Sequence, residues 1–458
     1  MKKFIGNIDH TLPEEVVADL KEKDNETKTA QWAIFEKSIT KNAKEITNAL
    51  KSMYEIYDDR LIKWMANLFD PDICICNEVY GKSICEHHPL CGSAGFHYTH
   101  SARDNIGYAP VVEALNSVFD FLSTCGITDY DHITEYFGKE YGDKMMKFVF
   151  NLQDPDGYFY HPQWGKDIGI GRRGRDYNRS LIMLERYGIK PKYPTIADLK
   201  GNSANNNTLI PDNMKTLDAF KKYLASQDID NRSYHVGSVL GEQITQLKAR
   251  GNEYIEELYQ YFNLHQRPDN GIWSEKCDYY AVNGVMKIVY GYTSMEKPVP
   301  YPEKVFRASL QAIMSNEAPT TVVTVWNPWI AIKKLFENAS VFYSKELVEK
   351  LRSELLDIAH EAILKTKEKI LLFKKPDGSF SYYTDFATDT MQGSPCGIPN
   401  TVEGDMDAAV LGTNWLVRDI ATVLGVSDNK IVPLYGKFEA AMFKNIIDNR
   451  KPVRKGNF

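Results

Sequence analysis

Gln153-Asp154-Pro155-Asp156-Gly157-Tyr158-Phe159 is one of four stretches in this chain built on a common plan. The others are Phe69-Asp70-Pro71-Asp72, Gln266-Arg267-Pro268-Asp269-Asn270-Gly271-Ile272-Trp273 and Lys375-Pro376-Asp377-Gly378-Ser379-Phe380. Proline fixes φ on entry, Asp bonds back to the backbone, and Gly or Asn-Gly takes the left-handed position, so each reads as a tight turn. The aromatic that follows can tuck under the next helix. Each copy comes directly after an apolar helical stretch. The intervals, roughly 80–115 residues, hold about two αα-hairpins each at usual helix and connection lengths.

Working outward, helical periodicity dominates. Trp32, Phe35, Ile39, Ala43, Ile46, Leu50, Met53 and Tyr57 recur three and four residues apart on one helix face, and Leu347, Leu351, Leu355, Ile358 and Ala362 repeat the pattern late in the chain. Similar stripes run through Val111–Leu122, Ile133–Phe148, Leu217–Leu224, Val236–Leu247 and Val410–Leu424. Strand alternation is scarce and short, so the class is all-α with short β or loop insertions. No second domain is evident. Residues 1–458 read as one unit, with the polar stretch Asp198–Asn207 as a surface loop or linker between two halves and the basic tail Asn449–Phe458 as a frayed end.

The repeated turns resemble the Q-x-x-D-G-x-W repeats of terpenoid cyclases and the P-D-G-aromatic turns of other α/α-toroid enzymes, among them polysaccharide lyases and six-hairpin glycosidases. The resemblance covers most of the chain and is architectural. It implies a ring of helical hairpins around a central pocket and specifies hairpin ends rather than chemistry.

The chain has 458 residues, 43% hydrophobic and 25% charged, enough for a large core, and its net charge of −6 is spread without a long block. That balance argues against nucleic acid or an anionic membrane surface as the main partner. No segment approaches the length of a membrane span, and Met1–Leu12 lacks an apolar h-region. Seven cysteines, an odd count, do not form a disulfide framework, which places the protein in the cytoplasm. The 27 Tyr and 7 Trp suit either buried hairpin contacts or a wet, concave carbohydrate pocket. The oligomeric state is left open by the sequence.

Several constellations can carry chemistry. Cys74, Cys76, Cys85, His87, His88 and Cys91 are dense enough for a structural zinc, although Cys-x-Cys is not the usual C-x₂-C knuckle and free thiols are the alternative. Nothing else requires a cofactor. In the following run, Arg103 suits bidentate capture of a carboxylate or phosphate and His97, Tyr98 or His100 suit proton transfer; an Arg103–Asp104 loop network is the structural alternative. A second run sets Tyr160, His161 and Trp164 ahead of Arg172, Arg173 and Arg175, with Asp176 beside them, the arginines facing either anions or solvent. Tyr234 and His235 open a helix that carries Glu242 and Gln243, with Asn283 further on. His, Tyr, Asn and Arg are the working set that the resemblance to toroid lyases implies, Asn and His neutralising a uronate carboxylate while Tyr moves the C5 proton. Glu403-Gly404-Asp405-Met406-Asp407 opens a late helix and faintly resembles the D-x-D-D-T-A acid motif of class II terpenoid cyclases, with Ala408 in place of the last Asp; capping alone accounts for Asp405. Read as a glycosidase, Glu403 or Asp405 needs a second carboxylate, for which Asp104 or Asp176 is available. Trp326-Asn327-Pro328-Trp329 at a helix start either lines a pocket or wedges helices apart.

The leading expectation is a carbohydrate-active enzyme on small or oligomeric, acidic sugars, β-elimination slightly ahead of hydrolysis. The catalytic candidates are His235, Tyr234, Asn283, Glu403 and Asp405. The ligand contacts are His97, Tyr98, Arg103, Asp104, Tyr160, His161, Trp164, Arg173, Arg175 and Trp326. The alternatives are a terpenoid cyclase-like enzyme using Asp405/Asp407 and a non-catalytic binding or scaffold protein. For the zinc reading, elemental analysis of protein purified without chelator should find bound zinc that Cys85→Ser releases; a metal-free, fully stable protein makes the cluster a set of thiols.

Overall fold

The computed structural model describes residues 6–73, 90–105, 107–128, 133–195, 198, 210–391 and 393–451. Its helices are α1 Glu14–Ser38, α2 Ala43–Tyr54, α3 Asp59–Ala66, α4 His100–Arg103, α5 Val112–Thr124, α6 Ile133–Phe137, α7 Lys139–Asn151, α8 Ile170–Arg186, α9 Leu217–Ala225 and α10 Ile229–Gly241. They continue as α11 Ile244–Arg250, α12 Asn252–His265, α13 Tyr279–Met295, α14 Pro302–Met314, α15 Val322–Phe342, α16 Lys345–Leu371, α17 Met406–Ala409, α18 Leu416–Val423 and α19 Lys437–Asn449. A π-helical turn, Val410–Trp415, joins α17 to α18. Strands are short: β1 Phe69–Ile73 pairs antiparallel with β2 Ser93–Phe96, and β3 Thr390–Met391 with β4 Ser394–Pro395. The protein is mostly helical, as the periodicity predicts. No described helix is long and apolar enough to cross a membrane.

Local signals explain where elements begin and break. Asp58, Thr216, Asp228, Asp278, Ser344 and Asp405 each accept a backbone N–H as N-cap. The stripe from Trp32 to Tyr57 is two helices, because Asn42 turns left-handed at φ 53° ahead of α2. Gly138, at φ 85°, likewise divides Ile133–Phe148. Pro328 lies inside α15 rather than at its start. The 199–207 part of the polar loop lies outside the described residues, as do 452–458. Arg450 is not frayed: it is buried and donates to the Phe69 carbonyl at 2.6 Å and to Asn67 Oδ1 at 2.8 Å.

Three of the four repeated stretches form one structure. In each, glycine holds the left-handed position, at φ 87° for Gly157, 78° for Gly271 and 85° for Gly378. A Cβ there would stand 2.6 Å from the Pro194 carbonyl, 2.6 Å from Lys304 Cβ and 2.5 Å from Arg60 Cβ respectively. The residue preceding each turn reaches the same segment. Gln153 donates to the Tyr193 carbonyl, Gln266 to that of Pro300 and Lys374 to that of Ile56. Phe159, Trp273 and Phe380 are buried beneath, as the tucked aromatic predicts. Phe69-Asp70-Pro71-Asp72 breaks the set. It lacks the glycine and runs as β1, with Phe69 opposite Phe96.

The Lys374–Gly378 clamp brings a late segment onto residues 56–60, and the two ends of the chain meet again where Asp24 accepts the Lys437 and Phe438 N–H groups ahead of α19. Among the helices between, α5 packs on α8, α8 on α10, α10 on α13, α13 on α15, and α15 on the π-turn and α18; the π-turn packs back on α5. The contacts thus run in closed order through six segments. Gly378→Ala should destabilise the protein by roughly 1–3 kcal/mol, the scale of a non-glycine residue forced left-handed, with the collision on Arg60 added; a denaturation midpoint equal to wild type would show that this clamp does not hold the termini together.

Candidate functional site

Early turns of these six segments meet one another. Glu113 on α5 meets Arg172 and Arg175 on α8; Ser233 on α10 meets Gly284 on α13, where a Cβ would stand 2.1 Å from Ser233 Oγ. Asn283 accepts from Asn327 of α15 at 3.0 Å, and Val322 of α15 lies against Gly412 of the π-turn. Polar side chains at helical spacing face one another along the α5–α8 contact: Glu113, Asn116 and Asp120 on α5; Arg172, Arg175 and Arg179 on α8.

The Glu113 carboxylate, 2% exposed, is the anchor. Arg175 binds it through Nε at 2.9 Å and Nη2 at 2.6 Å, Arg172 donates at 3.1 Å, and Arg179 lies 3.8 Å away. Burial raises its proton affinity, but the Arg175, Arg179 and Arg172 charges outweigh that and hold Glu113 well below the usual carboxylate range. Arg172 also pairs with Asp176 one turn on.

Beyond Arg175 the cluster opens. Its side chain keeps 22% exposure, so it borders a recess that water reaches rather than closed packing. Half-buried Asp407, Tyr234, Glu242, Lys287 and Tyr382 act on one another electrostatically there. Burial pushes the Asp407 carboxyl up, opposed by Arg175, and the buried Tyr98 hydroxyl stands beside it. Burial likewise raises the Tyr98, Tyr234 and Tyr382 phenols. Lys287 is held below the usual lysine value by burial and then by Arg175.

Asp405 has a different role. It is 0% exposed, and its oxygens accept the N–H groups of Ala408, Tyr382 and Thr388. Burial pushes it up to about 7 against those three bonds, and with no exposed surface it does not meet a ligand. It caps α17, as the capping alternative holds. Glu403 accepts the Ser101 N–H at 2.9 Å, pinning the loop ahead of Asp405 to the start of α4.

Other expected residues are placed elsewhere. Arg103 is 2% exposed and binds Asp104 through two 2.7 Å bonds, the Asn67 carbonyl at 2.8 Å and Asn7 at 2.7 Å, so it closes a loop network rather than receiving an anion. His97 is buried against Asp70 at 3.4 Å. His100 bonds the Trp64 carbonyl, and burial pushes it down to about 3, leaving it neutral. Tyr160 donates to Asp156. His161 pairs with the Pro110 carbonyl and stacks on Trp164 at 4.2 Å. Arg173 lies 4.6 Å over the Tyr158 ring. Trp326 donates to the buried Asp419 at 2.8 Å and lies 5.6 Å from Trp415. His235 is exposed, with Arg232 as its charged neighbour, while Tyr234 turns into the cluster one residue earlier. Cys74, Cys76, Cys85, His87 and His88 lie outside the described residues. The Cys91 carbonyl takes a bond from Lys147, and among the described residues no group of His, Cys, Asp or Glu is arranged to hold a metal.

Of the expected residues, the structure brings Tyr98, Arg175 and Tyr234 together around Asp407; Asn283, 9% exposed, is bonded to Asn327 and Thr324 of α15. Glu242 belongs to the candidate helix opened by Tyr234 and His235, whereas Glu113, Lys287 and Tyr382 are not among the residues the sequence singles out. For two of them a signal was present: Glu113 interrupts Val111-Val112-Glu113-Ala114-Leu115 and Lys287 interrupts Val285-Met286-Lys287-Ile288-Val289. A lone charge inside an apolar helical run marks a polar interior.

A scan against protein-family models finds no match, and searches of curated proteins and of solved structures find none either. Glu113→Gln should lower stability by about 3–5 kcal/mol, the scale for breaking one partner out of a buried ionic network; a change under about 1 kcal/mol in chemical denaturation would show that water, not Glu113, compensates these arginines.

Proposed function

We propose that this chain is an α/α-toroid enzyme that hydrolyses glycosidic bonds, with Asp407 as proton donor. The closed order of helix contacts supports the toroid. The observation that carries the chemistry is Asp407: a carboxyl at the edge of a deep polar recess, driven toward its protonated form by burial and standing beside Tyr98. A general acid needs that combination of retained proton and access. Glu242 is the second carboxylate and activates water. Arg175, fixed by Glu113, and the tyrosine hydroxyls orient a hydroxyl-rich ligand, which such a lining suits better than a hydrocarbon.

The same groups favour hydrolysis over β-elimination. Elimination requires a base for the C5 proton, and Tyr98, Tyr234 and Tyr382 are all shifted away from tyrosinate at neutral pH. His235 is set apart on the surface. One observation favours a second reading: Asp405 and Asp407 keep the spacing of a cyclase-type acid motif, so protonation of a polyene uses the same donor. The free thiols of Cys125, Cys277 and Cys396 suit work inside the cell.

Asp407→Asn and Glu242→Gln should each reduce turnover of an oligosaccharide by roughly 10²–10⁴-fold with the fold intact, while His235→Ala leaves it nearly unchanged. Asp407 acts with its proton on, so kcat/KM should fall as pH rises through its elevated value. Mass spectrometry distinguishes the readings: hydrolysis adds water, elimination yields an unsaturated product absorbing in the ultraviolet, and cyclisation leaves the mass of a polyene unchanged. An unsaturated product, or full activity in Asp407→Asn, overturns hydrolysis by this donor.

A further inference from the structure

Lys287 is the anomaly of the recess. It stands on α13 where Gly237 and Gly241 let α10 lie against it: a Cβ on Gly237 would be 3.0 Å from Lys287 Cβ, and one on Gly241 would be 3.9 Å from the Lys287 carbonyl. Its stem is therefore fixed between two helices. Other lysines with little exposure have acceptors. Lys333 bonds Asp419 at 2.7 Å and Lys374 bonds Asp58 at 2.9 Å; Lys369 takes the Ile313 and Ser315 carbonyls, and Lys375 that of Thr384. Lys287 forms no hydrogen bond or ion pair with a described residue. Its nitrogen lies 5.6 Å from the centre of the Tyr234 ring, with Asp407, Glu242 and Arg175 around it at longer range.

A half-buried ammonium that no described residue accepts from, with a guanidinium nearby, is costly to keep charged. Desolvation and a neighbouring guanidinium are the two devices that turn a lysine into a nucleophile. We propose that Lys287 forms an imine with the open-chain carbonyl of a reducing sugar held in this recess, an activity that rests on the sugar-binding reading above. The unprotonated Nζ attacks the carbonyl carbon, the C=O π electron pair moves to oxygen, and the Asp407 carboxyl protonates that oxygen. Glu242 takes one proton from the nitrogen and returns it to the carbinolamine hydroxyl. That group leaves as water, and loss of the second nitrogen proton to the Asp407 carboxylate leaves a neutral C=N bond. Amine and carbonyl are consumed one for one, with water as the only other product and no oxidant required.

The full chain is incubated at neutral pH with glyceraldehyde and cyanoborohydride, and proteolytic peptides are read by mass spectrometry. Reductive alkylation of Lys287 should outpace that of exposed Lys345 several-fold. Lys287→Arg should lose this fast labelling while keeping its circular dichroism, and Asp407→Asn should slow it. Labelling of Lys287 no faster than that of Lys345 overturns the imine. The outcome separates from the hydrolase reading: hydrolysis without fast labelling sinks the imine alone, and fast labelling without hydrolysis sinks the hydrolase alone.

Discussion

The Glu113 carboxylate and the arginines around it set the terms for the rest of the interior. A carboxylate at 2% exposure is tolerable only when paired and hydrogen-bonded. Arg175 supplies two bonds and Arg172 a third, which fixes the facing of α5 and α8. With Nε and Nη2 committed, Arg175 presents its remaining face to Asp407, Tyr234 and Lys287. The electrostatic character of the recess thus follows from a contact outside it. Arg172, buried and held by both Glu113 and Asp176, adds a compensated charge that still acts on Asp407.

The outer framework obeys a different rule. Gly157, Gly271 and Gly378 sit where backbone or Cβ atoms of another segment leave no room for a side chain, and the residue preceding each turn bonds that same segment. Specificity lies in these turns, which leaves the helices they connect free to carry charge. Where the glycine is missing, at Phe69–Asp72, the chain takes the extended path instead and pairs with Ser93–Phe96. That pairing brings His97 beneath Asp70 and starts the loop carrying Tyr98 to Asp407.

Helix content and the turns were legible because both are local. Periodicity reports burial one helix at a time, and Pro-Asp-Gly specifies its own dihedrals. Capping by Asp405 was legible for the same reason. The site was not, because its members are separated by the whole chain: Tyr98, Arg175, Tyr234, Lys287 and Asp407 share no sequence neighbourhood. Dense polar runs drew attention to Arg103 and His161, yet such runs satisfy one another, as Arg103 does with Asp104 and His161 with Trp164. Isolated charges in apolar helices are the better guide. Glu113 and Lys287 have no local partner, so their burial has to be explained by something distant.

Asp405 and Asp407 show why adjacency in sequence does not make two carboxylates equivalent. Both are in the first turns of one short helix, and burial raises both. Asp405, as the cap, points back along the chain, where the Tyr382, Thr388 and Ala408 N–H groups occupy its oxygens. Two residues on, inside the first helical turn, Asp407 meets no described backbone donor; Tyr98 stands beside it, and the charges of Arg175, Glu113 and Arg172 act on it. The first carboxylate organises the flanking loop by giving up its freedom to act. The second, which no described backbone donor holds, takes its proton affinity from burial and from the charges around it.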